Sequence, residues 1–243
     1  MKLKVLCVFA VIWLQCMCNF AETLIVKISV AGPDGNPVVG ADVSTLWEAD
    51  NGQMTPTHPF AVVTNSKGNA EFRIEDWGQP RPLLILSADR ALGRVVGISK
   101  KDDGTELKIT LTRTVKVKGK LFCEDLNLSP LFPYNVVTAD GFRNPMVNCS
   151  TSNATFEFAL PIGKYTLKSY GLNVTPTKTV VDLNEEEPVL DLGTINLPAT
   201  PIAKLIGKPA PDLFVSEVRG IEKSFKLSDY RGRWVYLEFW GFW

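Results

Sequence analysis

Hydrophobic and polar residues alternate along most of this chain. Leu24, Val26, Ile28 and Val30 share one parity, with Lys27 and Ser29 on the other. A period of two over this length predicts a half-buried strand. Gly32-Pro33-Asp34-Gly35-Asn36-Pro37 is a dense turn signal. Alternation resumes at Ala41, Val43, Thr45 and Trp47. After the polar stretch Thr64-Asn65-Ser66-Lys67-Gly68-Asn69 it returns at Ala70, Phe72 and Ile74. Residues 82–87 form a short apolar run, and Leu107, Ile109 and Leu111 close the series.

The rhythm then restarts. Val115, Val117, Gly119 and Leu121 alternate with Lys116, Lys118 and Lys120. A second strand is expected over 134–138, followed by the Asp140-Gly141 turn. Phe156, Phe158 and Leu160 lead through Pro161-Ile162-Gly163 to Tyr165, Leu167 and Ser169. Segments 180–183 and 189–197 complete the set. Many short strands separated by turn signals predict β-sandwiches. Near Pro198 the pattern changes. Pro198-Ala199-Thr200-Pro201 reads as a linker, Leu227-Ser228-Asp229-Tyr230 as a helical turn closed by Gly232, and 234–240 as an apolar strand buried on both faces. A strand of that kind after a short helix points to the start of an α/β domain.

Composition narrows the function classes. The 243 residues are 45% hydrophobic and 21% charged, which suits a chain with a buried core. With 26 basic and 26 acidic residues the formal net charge is zero, and no basic run interleaved with aromatics occurs. Nucleic acid is therefore not an expected partner. Lys2 and Lys4 followed by an uncharged apolar run over 5–14 read as a signal peptide spanning 1–21, too short to cross a bilayer as a helix. The expected location is exported: periplasmic, extracellular or, if the N-terminal segment is uncleaved, membrane-anchored. Cys7, Cys16 and Cys18 lie in that leader, so the mature chain keeps Cys123 and Cys149. In an oxidising compartment these are either a structural disulfide or two buried free thiols. His58, the only histidine, stands among prolines and reads as a loop residue. No cluster suggests a metal, and no cofactor is expected.

Two resemblances sharpen this picture. Gly32-Pro33-Asp34-Gly35-Asn36-Pro37-Val38-Val39-Gly40-Ala41-Asp42-Val43 and Ser66-Lys67-Gly68-Asn69-Ala70-Glu71-Phe72 resemble the carboxypeptidase regulatory-like (transthyretin-like) β-sandwich family. Phe156-Glu157-Phe158-Ala159-Leu160-Pro161-Ile162-Gly163-Lys164-Tyr165 matches that family's later signature, although the second module lacks the clean opening turn. The resemblance implies accessory, spacing or binding modules without catalytic residues.

Gly207-Lys208-Pro209-Ala210-Pro211-Asp212-Leu213, followed by Leu227-Ser228-Asp229-Tyr230-Arg231-Gly232-Arg233-Trp234-Val235-Tyr236-Leu237-Glu238-Phe239-Trp240-Gly241-Phe242-Trp243, resembles the opening of the thioredoxin-like redoxin superfamily, particularly TlpA-like disulfide reductases. It covers about the last 40 residues. In that family a Cys-x-x-Cys pair follows, and here it would begin after Trp243. The resemblance implies thiol–disulfide exchange with exported protein disulfides or a redox donor, with the chain inactive as it stands. Glu238 would be the proton-shuttling carboxylate, and Trp240, Gly241, Phe242 and Trp243 would shape the partner surface. The aromatic run 239–243 favours a reductase over a thiol peroxidase.

The expected fold is thus mainly β: two tandem antiparallel β-sandwich domains, 22–113 and 114–199, plus an incomplete α/β thioredoxin-like domain over 200–243. A strand at 234–240 without the remainder of such a domain would be an uncovered apolar segment prone to aggregation. The alternative function is a non-enzymatic secreted binding or spacer protein.

Overall fold

The structure is a computed structural model. It describes residues 23–76, 78–150, 153–210, 213, 217, 219, 220, 225–236 and 238. The strands are β1 (Thr23–Ala31), β2 (Asp42–Ser44), β3 (Trp47–Asp50), β4 (Gln53–Pro56), β5 (Val62–Val63), β6 (Asn69–Glu75), β7 (Arg81–Leu86) and β8 (Leu92–Ile98). They continue with β9 (Glu106–Thr110), β10 (Thr112–Phe122), β11 (Leu131–Ala139), β12 (Val147–Ser150), β13 (Thr155–Pro161), β14 (Gly163–Leu172), β15 (Thr177–Leu183) and β16 (Val189–Asn196). The only helices among the described residues are short 3-10 turns.

These strands build three sheets. One has the order β6-β1-β9. The largest runs β13-β10-β8-β7-β2-β5, with β16 also paired to β10, and the third runs β15-β14-β11-β12-β3-β4. The alternation at the N-terminus is realised directly: Leu24, Val26, Ile28 and Val30 of β1 are all buried. The first turn closes as its composition predicts, with Asp34 accepting hydrogen bonds from the Asn36 backbone and side-chain amides. Gly68 illustrates why glycine is needed in the second turn. Its φ is +74°, and a Cβ there would lie 2.5 Å from the Val30 carbonyl oxygen.

Two hydrophobic cores result, and β7 separates them. All five of its residues after Arg81 are buried. Leu83 and Ile85 join Val26, Ile28, Phe72 and Ile109 in the first core. Leu84 and Leu86 point the other way, into a second core with Trp47, Val117, Phe158 and Leu167. The continuous apolar run over 82–87 therefore reflects a strand covered on both faces.

The two halves of the chain are interlocked. Between Ser44 and Trp47 the chain leaves the largest sheet, and the β3–β4 hairpin pairs with β12 in parallel register, Trp47 opposite Val147. β10 is one continuous strand: Thr112 and Arg113 pair with β8, whereas residues 114–120 pair with β13. Residue 114, where the second sandwich domain was expected to begin, lies inside this strand.

The corner at Pro161 and Gly163 carries the chain from β13 in one sheet to β14 in another. There the Tyr165 hydroxyl donates to the Pro161 carbonyl at 2.8 Å. This contact explains the tyrosine of the motif, and burial pushes its ionisation well above the ordinary range.

Candidate functional site

The C-terminal motifs begin on an anchored strap. Asn173 accepts from the Thr200 amide at 2.9 Å, and Thr175 donates to the Pro198 carbonyl at 2.7 Å. Asp125 accepts from the Ala199 amide at 2.9 Å and pairs with Lys204 at 3.0 Å. The Lys204 ammonium and that amide hold the Asp125 carboxyl below the usual carboxylate range. Ala203 is buried in the second core. The predicted linker is therefore bound to the β body as far as the 3-10 turn Ala203–Leu205.

Beyond Gly207 the described residues join no sheet. The helical turn is present as the 3-10 helix Leu227–Tyr230, with Lys226 donating its amide to Asp229. Gly232 follows at φ +80°. The expected central strand is corrected for the residues that are described: Trp234, Val235, Tyr236 and Glu238 are exposed and in no strand. The physical reason is that no second layer packs on them among the described residues, so burial does not fix an extended pairing there. No α/β domain is formed among the described residues. Glu238, the candidate proton-shuttling carboxylate, is exposed. Trp240, Gly241, Phe242 and Trp243 lie outside the described residues, as do residues 1–21, the expected signal peptide, with Cys7, Cys16 and Cys18.

Cys123 and Cys149 are both buried and both free, so the candidate disulfide is not formed. They reach the second core from different sheets, Cys123 just after β10 and Cys149 from within β12. Burial pushes the Cys149 thiol up to about 12, with the Asp50 carboxylate adding to it. A thiol held protonated is a poor nucleophile. His58 accepts from the Phe60 amide through Nδ1 at 3.3 Å and lies against Phe60 and Phe72. Burial and nearby Arg81 lower its pKa, keeping it neutral. Among the described residues no group of His, Cys, Asp and Glu could hold a metal ion.

One surface cleft was not legible as a site in the sequence. It is a cleft of about 670 Å³ on the outer face of the six-stranded sheet, lined by Glu48, Asp50, Leu131, Phe132, Tyr134 and Ser150 among others. The β11–β14 register shifts between Leu131 and Tyr134, a bulge that turns Phe132 outward with φ +49° and 80% exposure. Tyr134 stacks on Tyr170 with centroids 4.6 Å apart, and the Lys168 ammonium sits 5.0 Å from the Tyr170 ring centre. The only sequence signal was the run Leu131-Phe132-Pro133-Tyr134, which breaks the alternation of its strand.

No family model matches the chain. The thiol-disulfide oxidoreductase ResA of Geobacillus kaustophilus (strain HTA426) is 46% identical over 41 residues, 17% of this chain. The chain covers only 22% of that relative's length. Among solved structures, the Bacillus anthracis TIE protein matches 73% of this chain and 34% of its own, at 13% identity and a TM-score of 0.33. The group B streptococcus pilus 2b backbone protein matches 74% and 86%, at 13% identity and a TM-score of 0.33. Shaft pilin SpaA of Lactobacillus rhamnosus GG matches 74% and 98%, at 8% identity and a TM-score of 0.29. At such scores no functional conclusion follows from the structural likeness.

No helix among the described residues is long and apolar enough to cross a membrane.

Proposed function

We propose that this chain carries the β-sandwich portion, and the opening of the redox domain, of an exported thiol–disulfide oxidoreductase. In this reading residues 1–21 are a signal peptide, 22–113 and 114–199 are carboxypeptidase regulatory-like modules, and 200–243 open a thioredoxin-like domain. The observation that carries it is sequence, not geometry. Two redoxin motifs occur in order, Gly207 to Leu213 and Leu227 to Trp243. The short match to ResA, over 41 residues, is close in length to that segment. The substrates would be exported protein disulfides, with no organic cofactor.

The chemistry sets its own limit within the chain. Thiol–disulfide exchange needs an accessible thiolate as nucleophile and a second thiol to resolve the mixed disulfide. Cys123 and Cys149 are buried and on separate elements, and Cys149 is held protonated. They do not supply that pair. The reading therefore expects a Cys-x-x-Cys after Trp243 in the full-length protein.

The test is to read and express the open frame across the codon for Trp243. A following Cys-x-x-Cys, with insulin-disulfide reduction abolished by its Cys→Ser variants, supports the proposal. A stop codon, or a continuation without cysteines, overturns it. The second reading, a secreted binding or spacer protein, is favoured by the dominance of β-sheet among the described residues and by the outer-face cleft.

A further inference from the structure

The outer face of the six-stranded sheet is electrically two-sided. Following the register across β15-β14-β11-β12-β3-β4, one row of outward positions reads Lys178, Lys168, Val136, Asn148, Glu48, Thr55. The adjoining row reads Tyr170, Tyr134, Ser150, with Asp50 one residue beyond the last parallel pair of β3. Apart from the Lys164–Asp182 ion pair further along β14 and β15, cations thus occupy one side of the face and carboxylates the other. Among the described residues, Lys168, Lys178, Glu48 and Asp50 make no ion pair within the chain. Between the charges lie Val136 and the stacked Tyr134–Tyr170 pair, with Phe132 exposed at the end.

This pattern is self-complementary under one symmetry operation. A two-fold axis parallel to the strands, placed between β11 and β12, sets β14 over β3 of a second copy, β11 over β12 and β15 over β4. Lys168 then faces the second copy's Glu48, and the Tyr170 hydroxyl faces its Asp50. An axis across the strands would instead oppose Lys168 to Lys168 and Glu48 to Glu48, and like charges juxtaposed in an interface are strongly disfavoured. We propose that this face is a self-association surface on which a second copy of the chain docks by that parallel two-fold, giving an isologous dimer.

The expected strength follows from its size. Six strands spaced by about 4.8 Å, each offering about five residues, present roughly 500 Å² per copy. A standard stable interface takes about 800 Å² per partner, so the dimer is expected to be weak and concentration-dependent. The inference does not depend on the redox reading, because it uses only residues of the β body.

Sedimentation velocity on the full chain, up to about 300 μM at low salt, tests it. The expected result is reversible dimerisation that weakens as salt rises. Glu48→Lys alone and Lys168→Glu alone should each weaken association by about tenfold or more. The two together recreate the complementary pair and should restore it to within about threefold of the parent. Glu48 is exposed and Lys168 partly so, and circular dichroism verifies that each variant folds. The salt dependence of the unmodified protein gives an answer that needs no variant. A chain that stays monomeric overturns the proposal, as does association indifferent to salt. Single variants that associate like the parent would place the contact elsewhere, for example on exposed Trp234 and Tyr236, and would also overturn it. A double variant no better than either single overturns the pairing of Lys168 with Glu48.

Discussion

Arg90 shows how much one side chain can organise in a β protein. It sits at φ +63°, in the left-handed region that a side chain rarely adopts. From there its guanidinium donates to Asp42 at 2.6 Å, to the Ser87 carbonyl at 3.1 Å and to the Met54 carbonyl at 2.9 and 3.1 Å. It also lies 5.2 Å from the centre of the Trp47 ring. One residue thus ties β2 to the hairpin that has crossed to the other sheet. Arg90→Met should lower unfolding free energy by about 2–4 kcal/mol, because Asp42 and a part-buried carbonyl lose their partner. A urea titration with an unchanged m-value verifies this; a loss under about 0.5 kcal/mol would refute the role. Cys149 carries a second prediction. Its thiol titrates at about 12 in the folded chain against an ordinary 9.0. The unfolded chain therefore releases this proton first, so stability is full below about pH 9 and falls as pH rises toward 12. The raised ionisation of Tyr165 acts in the same direction. Thermal melts across that window should show the decline, and Cys149→Ala should make it shallower. Neither role could be read from sequence. An arginine after Asp89 in a turn, or a cysteine in a strand, has no periodic signature that reveals its partners.

At the scale of elements, most of the strand pattern was legible because burial on one face leaves a period of two. β1, β6 and β13 appear where the alternation put them. The exception is instructive. Ala41, Val43, Thr45 and Trp47 alternate without interruption, and all four are buried. Yet Val43 belongs to the first core and Trp47 to the second. Periodicity records that a side chain is covered, not what covers it. The crossing at residues 45 and 46 is therefore invisible to it. The consequence is that the second half of the chain depends on a hairpin from the first. Trp47→Ala should cost about 3–5 kcal/mol, in the range for emptying a large aromatic from a packed core. A fragment of residues 114–210 would expose the edge of β12 and leave the space filled by Trp47, Ala49 and Met54 open to water. It should show no cooperative thermal transition, and supplying a peptide of residues 45–58 should partly restore one. An independently stable 114–210 fragment would show instead that the hairpin is an embellishment.

For the whole molecule, the question is where the β body ends. Composition placed a linker at Pro198, and the Pro-rich sequence is there. What composition could not convey is that the strap is bound. Its backbone exchanges hydrogen bonds with residues 173 and 175, Ala203 is buried, and Lys204 pairs with Asp125, 79 residues upstream in a different turn. These contacts are long-range, so no local window of sequence contains them. The redoxin motifs, by contrast, were legible as text. Their described residues nonetheless form no sheet, since a strand of that domain needs partners on both sides. The boundary of the cooperative unit should then fall after the strap, near Gly207, and not at Pro198. Limited trypsin digestion should cut first at Arg219 or beyond, because Pro209 protects the bond after Lys208, and spare Lys204. The retained fragment should melt at the temperature of the intact chain. Asp125→Ala removes the acceptor shared by Ala199 and Lys204, and should speed cleavage after Lys204 without unfolding the sheets, since Asp125 lies outside both cores. Equal cleavage at Lys204 in both proteins would mean that the strap is held by Ala203 and its backbone bonds alone. Such a fixed strap would give whatever follows Gly207 a set point of departure from the β body.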